Sequence, residues 1–237
     1  MTESADTVIR LQELTKVYHG GGGDVVAVDH LSLSIPSGVT VLAGPSGCGK
    51  STLVNLLGAL DHPTSGIVEV AGHILSELNE DQIDHFRRKT VGIVFQFFHL
   101  MPVLTVLENV ALPAELAGTS PSLARQRAAA LLERVGLAHR AGHQPHELSG
   151  GEIQRTAIAR ALVNNPAVVL ADEPTGNLDS AASRRVMELF AEAVTGEGAS
   201  AVVATHDPDV VARADRVFHL LDGRLERIEE NAAGVQP

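Results

Sequence analysis

Gly44-Pro45-Ser46-Gly47-Cys48-Gly49-Lys50-Ser51-Thr52 is the stretch of the chain that decides the fold. It matches the phosphate-loop pattern G-x-x-x-x-G-K-[ST] at every fixed position. Residues 40–43 before it are typical of a short buried strand, and apolar residues at helical spacing follow it. A strand, a glycine-rich turn and a helix start form the context that this pattern needs, which disfavours a chance glycine turn.

Each part of this stretch has a chemical reason. Glycines let consecutive backbone N–H groups face one concavity, and the helix start adds partial positive charge. Lys50 is expected to reach the β- and γ-phosphates of a nucleotide, and the Ser51 hydroxyl is expected to ligate Mg²⁺. We therefore predict that residues 44–52 bind a nucleoside triphosphate.

Composition narrows the class of protein. The 237 residues, 44% of them hydrophobic, fit one globular unit. The net charge of -11 argues against a general affinity for nucleic acid, although it leaves room for a local basic patch. Cys48 is the single cysteine, which excludes an internal disulfide and suits a reducing cytoplasm. The sequence shows neither a secretory signal pattern nor a run of about 18 apolar residues, so we expect no membrane span.

The order of patterns predicts an α/β fold. An antiparallel β start, with a flexible glycine loop at residues 19–24, leads into a mostly parallel phosphate-loop NTPase core of the RecA-like kind. From residue 97 the sequence pattern changes to short helical pieces, which Pro102, Pro113 and Pro121 divide. We predict one domain over residues 7–228, with an inserted α-helical subdomain at 97–164 and flexible tails at 1–6 and 229–237.

A second nucleotide signature is an apolar strand that ends in two consecutive acidic residues, Asp172 and Glu173. A carboxylate at that strand end can hold Mg²⁺, usually through water. The neighbouring Glu173 points elsewhere and is placed to accept a proton from the water that attacks the γ-phosphate. The alternative is a strand end with two solvated acids.

A third motif, Leu148-Ser149-Gly150-Gly151-Glu152, opens another helix. Ser149 can cap that helix, and the two glycines let backbone N–H groups approach a ligand. One nucleotide needs a single anion-binding helix start, so a second one suggests that it completes the pocket of a neighbouring molecule. The alternative is an ordinary helix cap.

With these motifs together, the sequence resembles the nucleotide-binding subunits of ABC (ATP-binding cassette) proteins over about residues 7–228. In that family two cassettes enclose two ATP molecules head to tail, with each phosphate loop facing the other subunit's LSGG motif. The resemblance implies adenine stacking by Tyr18, Mg²⁺ ligation by Gln96 and a dimer contact at Asp179. It also implies γ-phosphate contacts from His206, and contacts in trans from Ser149, Gly150 and Gly151. The alternatives are a surface aromatic for Tyr18, a solvated strand end for Gln96 and a helix-start residue for His206.

A narrower resemblance is to the lipoprotein-release, macrolide-export and cell-division ABC ATPases. The stretches Phe95-Gln96-Phe97-Phe98-His99-Leu100-Met101-Pro102 and Ala171-Asp172-Glu173-Pro174-Thr175-Gly176-Asn177-Leu178-Asp179-Ser180 carry it. Ile153 and the long glycine run at 20–23 depart from the pattern, without touching a catalytic position. The resemblance does not give the transported substrate.

These features predict an ATPase that uses ATP and Mg²⁺, pairs with a second copy of itself and drives a separate membrane permease from the cytoplasmic face of the membrane. Residues 97–115 are the candidate docking surface for that permease, and simple packing within the subdomain is the alternative. Two other functions stay open at this point. One is a membrane signalling ATPase that acts on cell-wall enzymes, and the other is a soluble cassette that acts on DNA or ribosomes.

Overall fold

The computed structural model describes residues 7–21, 23–178 and 180–230, with the side chains of residues 180 and 181 left out. Helices and strands alternate along most of the chain, so the predicted α/β class is confirmed. The strands are β1 (Thr7–Gly20), β2 (Gly23–Pro36), β3 (Val39–Ala43), β4 (Ser65–Val70), β5 (His73–Ile74), β6 (Val91–Val94), β7 (Val168–Asp172), β8 (Ser200–Ala204), β9 (Arg216–Leu221) and β10 (Arg224–Glu230). The helices are α1 (Lys50–Leu57), α2 (Glu80–Lys89), α3 (Val106–Leu116), α4 (Pro121–Arg134), α5 (Gly150–Leu162), α6 (Ser180–Gly196) and α7 (Pro208–Val211).

The chain divides into two compact units, which we describe separately. The first unit contains the described residues up to Ile83 and from Ser200 onward. In it, β2, β1, β4 and β5 form an antiparallel sheet in that order. A second sheet places β3 between β8 and β9, with parallel pairing on both sides, and β10 returns antiparallel along β9. The nearly continuous apolar sequences of β3 and β8 are typical of parallel strands covered on both faces.

The second unit runs from Asp84 to Ala199. Its strands β6 and β7 pair in parallel, and Val94 lies opposite Ala171 at their carboxyl ends. Helix α5 packs on β6 and against α3, α4 and α6, with its buried face formed mainly by small and branched apolar residues. Gly92 lets β6 lie close to α5, because a Cβ at this position would lie 2.2 Å from the carbonyl oxygen of Ala161 on α5.

Two predictions about the β-strands were wrong. The expected loop at residues 19–24 is mostly hairpin, since His19 pairs with Asp24 and Gly20 with Gly23. Backbone pairing in a hairpin does not require side chains that pack, so the glycine run did not stop the strands. Strand β10 also continues through Glu229 and Glu230, past the predicted end of the domain.

Pro113 does not separate two helical pieces, because it lies inside α3. A proline within a helix removes one backbone hydrogen bond and costs about 3 kcal/mol. Packing outweighs that cost here, since Val110, Ala111 and Ala114 around the proline are all buried. Pro121, by contrast, does begin a helix, with Ser120 at the N-cap position of α4.

Candidate functional site

The phosphate loop joins the carboxyl end of β3 to the first turn of α1. Gly49 precedes the helix with a φ of 103°, a left-handed conformation that favours glycine. A Cβ at this position would also lie 2.2 Å from the carbonyl oxygen of Ala27 on β2. Both constraints explain why the loop needs glycine at position 49.

Lys50 is buried within its own loop. Its Nζ donates to the carbonyl oxygens of Gly44, at 2.8 Å, and Pro45, at 2.9 Å. The side chain of Cys48 is buried beside it, with Sγ 3.9 Å from the same ammonium. The loop therefore fixes a cation at the N-terminus of α1, an arrangement suited to binding phosphate oxygens.

His206 lies at the same edge of the sheet as the phosphate loop. Strands β3 and β8 are parallel neighbours, and Thr205 donates its backbone N–H to the carbonyl oxygen of Leu42. His206 follows Thr205 directly and is exposed, just before the Asp207 side chain caps α7. The first unit thus places the residue beyond β8 and the loop beyond β3 on one side.

The second unit brings Gln96 and the two acidic residues to one edge. Gln96 follows β6, Asp172 ends β7, and the two strands run parallel. The backbone then turns sharply, since Glu173 adopts a φ of 43° and its carbonyl oxygen accepts a hydrogen bond from the N–H of Gly176. Neighbouring Asp172 and Glu173 therefore lie on backbone of different conformation. Asn177 closes the group by donating from Nδ2 to the Gln96 carbonyl oxygen at 2.8 Å.

The LSGG motif forms a complete capping box at the start of α5. The Ser149 hydroxyl donates to Glu152 Oε2 at 2.7 Å, and the Ser149 backbone N–H donates to the same oxygen at 2.9 Å. Arg140 adds a hydrogen bond from Nε to Oε1 at 3.1 Å. The backbone N–H and the hydroxyl of Ser149 are the main cause, with Arg140 contributing, of the lowering of the Glu152 pKa to about 2.

Gly150 packs against the segment that follows the acidic residues. A Cβ at Gly150 would lie 3.2 Å from Cδ2 of Leu178, which leaves little room for a larger residue. The motif and this segment line a groove of about 320 Å³, to which Arg155 and Arg185 also contribute. Asp179, the predicted dimer-contact residue, lies outside the described residues.

Comparison with known proteins agrees with this arrangement of motifs. The model of the ABC transporter family matches residues 28–176. The chain belongs to the ABC transporter family. It is therefore an ATP-binding cassette with ATPase activity, as the sequence predicts.

The curated relatives support the narrower resemblance, and a solved structure agrees with the fold. The lipoprotein-releasing system ATP-binding protein LolD of Novosphingobium aromaticivorans is 47% identical over 94% of this chain and 100% of its own. The macrolide export ATP-binding/permease protein MacB of Burkholderia thailandensis is 44% identical over 98% of this chain, which spans 36% of that protein. A dimeric post-hydrolysis state of the ATP-binding cassette MJ0796, bound to ADP and Pi, has a TM-score of 0.85 at 40% identity, covering 94% of this chain and 98% of its own.

Sequence reasoning missed two arginines of this ABC cassette. Arg155 Nη1 donates to the Val135 carbonyl oxygen at 2.9 Å, and burial is the main cause of the lowered pKa of its guanidinium. Arg160 donates to the carbonyl oxygens of Phe98, at 2.7 Å, and His99, at 2.6 Å. These two carbonyls belong to left-handed residues just after Gln96, so Arg160 ties α5 to that turn. Both arginines lie on the helix predicted after the LSGG motif, but their partners come from distant parts of the sequence.

Proposed function

We propose that the cassette binds ATP at residues 44–52, with adenine against Tyr18 and the phosphates at the N-terminus of α1. The observation that carries this proposal is the preformed loop, in which Lys50 is only 6% exposed and is held by two loop carbonyls. Phosphate oxygens would take over as partners of the ammonium. Such a site binds phosphate through backbone N–H groups and the positive end of the helix dipole.

Mg²⁺ fits the residues that the motifs supply. The hydroxyl of Ser51, the amide oxygen of Gln96 and the carboxylate of Asp172 are all hard oxygen donors, the type that Mg²⁺ prefers. A bound Mg²⁺ would neutralise charge on the phosphate oxygens during transfer. Glu173 would accept the proton of the attacking water, and His206 would contact the γ-phosphate and that water.

The test of these roles is the Glu173→Gln variant. It should bind ATP as wild type does and accumulate an ATP-bound dimer, because removal of the base blocks turnover but leaves the phosphate site intact. Steady-state ATPase assays and size-exclusion chromatography with ATP measure both effects. Glu226→Gln on the exposed face of β10 is the matched control and should keep full activity. Normal turnover in Glu173→Gln would contradict the assignment.

We propose that the working unit is a head-to-tail dimer in which Ser149, Gly150 and Gly151 act on the nucleotide of the partner, with Asp179 near the contact. Two helix starts suited to anions in one chain support this arrangement, as does the dimeric state of the related cassette MJ0796. A complementation experiment separates action in trans from action in cis. Lys50→Ala and Ser149→Arg should each be inactive alone.

When the two variants are mixed, half of the dimers are mixed and each then contains one intact composite site. Activity should recover to about a quarter of wild type if the sites are shared between subunits. Cassettes whose motifs act within one chain would show no recovery. Lys50→Ala alone, at the same total protein concentration, serves as the baseline.

We propose that the cassette docks on a separate membrane permease at the cytoplasmic face. No helix in the described part of the chain meets the length and apolarity needed to cross a bilayer. The segment after Gln96 exposes Phe97 by 67%, Met101 by 48% and Val103 by 73%. These apolar side chains support docking, whereas the buried face of α3 packs within its own unit.

The relatives suggest an export system of the lipoprotein-release or macrolide-export type. The test is co-expression with the membrane protein encoded by the adjacent reading frame. Val103→Asp should abolish co-purification with that permease and leave the ATPase activity of the isolated cassette unchanged. Leu123→Asp, which changes an exposed apolar side chain on α4, is the control and should keep co-purification. Retained co-purification of Val103→Asp would contradict docking at this surface.

A further inference from the structure

The ring of Tyr18 is held by a small network of side chains within the first unit. Its hydroxyl donates to Asp61 Oδ2 at 2.9 Å and also makes a hydrogen bond with the Thr52 side chain on α1. Burial is the first cause of the raised pKa of Tyr18, with the Asp61 carboxylate adding to it against the opposing Thr52 bond. The hydroxyl is protonated at neutral pH, as in an ordinary tyrosine, and donates to Asp61.

Lys16 occupies one face of the ring. Its Nζ lies 4.8 Å from the Tyr18 ring centroid, within the range of a cation–π interaction. The ammonium also donates to Asp61 Oδ1 at 2.7 Å and to the His62 carbonyl oxygen at 2.8 Å. The Lys16 side chain is 12% exposed and that of Asp61 30%, so this ion pair is better shielded than a surface pair.

The other surroundings of the ring are open and apolar. Tyr18 is 40% exposed, and Val25, directly opposite it on β2, is 61% exposed. Directly opposed residues of an antiparallel pair project on the same face of the sheet. Two residues further along β2, Ala27 touches Gly49 of the phosphate loop, a separation of about 7 Å along the strand. An exposed ring and an apolar neighbour therefore lie beside the phosphate loop.

We propose that Lys16 and Asp61 are positioning residues for nucleobase binding, which fix the plane of Tyr18 so that one face is filled by the ammonium and the other is open to adenine. This inference rests on the proposed ATP site. Lys16 and Asp61 themselves need not touch the nucleotide. Base stacking on an aromatic side chain is stronger when the ring is held in place, because an ordered ring loses less entropy on binding.

The experiment compares ATP with inorganic tripolyphosphate, which offers phosphates without a base. Lys16→Met keeps the apolar stem and removes the charge, and Asp61→Asn keeps the shape and removes the acceptor charge. Both should weaken ATP binding by about tenfold, since stacking contributes roughly 1–3 kcal/mol per base, and should leave tripolyphosphate binding within about twofold of wild type. Arg10→Met, which removes another β1 cation paired with Glu69, is the matched control.

Tyr18 also provides a direct spectroscopic readout. The chain contains one Tyr and no Trp, so emission excited at 280 nm reports this ring alone. Wild type should show a saturable change in emission with ATP and not with tripolyphosphate, and the change should be reduced in Lys16→Met. Tyr18→Phe keeps a ring but loses the anchor to Asp61, and should weaken ATP binding in the same selective way.

The outcomes distinguish this inference from the proposed function. Unchanged ATP affinity in both charge variants would overturn the inference, as would equal weakening of ATP and tripolyphosphate. Wild-type protein that binds neither ligand would overturn the proposed function itself. A variant that fails to fold would lose tripolyphosphate binding, so retained tripolyphosphate binding verifies the phosphate loop in every variant.

Discussion

Loss of Asn109 should disturb the segment around Met101 and Val103, which we propose for docking. It is 1% exposed, and its Oδ1 accepts a hydrogen bond from the Met101 N–H at 2.7 Å. Its Nδ2 lies within hydrogen-bond distance of the carbonyl oxygens of Met101, Leu104 and Thr105, at 3.0–3.1 Å. One buried amide thus satisfies both ends of the loop that exposes Val103. Asn109→Ala removes all of these bonds at once.

The magnitude follows from the groups left without partners. An orphaned buried N–H costs about 1–3 kcal/mol, and the lost donor adds about 1 kcal/mol, so we expect a decrease of about 2–4 kcal/mol in the free energy of unfolding. Asn109→Asp keeps the shape but turns a carboxyl group toward three carbonyl oxygens. Its pKa should rise above the unfolded value, so the variant should become less stable relative to wild type as pH increases from 5 to 8.

Urea denaturation followed by far-UV circular dichroism measures the stability change. Hydrogen exchange at the Met101 amide localises it, and exchange there should speed by at least about fivefold. Asn55→Ala on α1 is the control, because the structure describes no side-chain hydrogen bond for Asn55. An Asn109→Ala variant that loses less than about 1 kcal/mol, or exchanges at Met101 as wild type does, would refute the reasoning.

Three further predictions concern the motifs. Gly49→Ala should abolish the thermal stabilisation that ATP gives to wild type, because the left-handed φ and the Ala27 carbonyl oxygen both exclude a Cβ; a normal ATP-induced rise in Tm would contradict this. Glu152→Gln should cost stability at pH 6, and since the folded pKa lies below its ordinary 4.5, at about 2, that difference should shrink as pH falls toward 3 in urea titrations. A difference that grows on acidification would be the wrong sign. Alkylation of Cys48, which is 3% exposed beside Lys50, should be slow and should be slowed further by ATP, as mass spectrometry can measure. The alkylated protein should bind ATP more weakly in binding titrations. Rapid labelling without loss of binding would argue against this environment.

Much of the fold could be predicted because its signals are local. The apolar runs of β3, β7 and β8 are typical of parallel strands that are covered on both faces. Ser149 lies three residues before Glu152, which is the spacing of a capping box, and the structure contains that capping box. The positions of Gln96 and Asp172 at strand ends followed from the same apolar patterns. Their assignment as ligands stays a prediction, because it depends on a nucleotide.

The parts that could not be predicted depend on distant partners. Pro113 continues α3 because of the surface it buries, which the proline itself does not reveal. The left-handed backbone of Glu173 results from a turn closed by Gly176. The sequence shows Lys16 two residues before Tyr18, on the same face of a strand, but its partner Asp61 is 45 residues away. Local patterns predict elements, whereas such contacts emerge only when the elements pack.

The hydrogen bonds of Arg160 give α5 a mechanical role. Ser149 caps one end of the helix, and Arg160 near the other end holds the turn that leads into the exposed segment proposed for docking. Arg160 lies eleven positions after Ser149, which corresponds to about 16 Å of continuous helix, so a tilt of only about 7° moves one end by about 2 Å. A force applied to Met101 or Val103 can therefore tilt α5 as a rigid body through the Arg160 hydrogen bonds. That tilt would displace the LSGG motif at the other end of the helix.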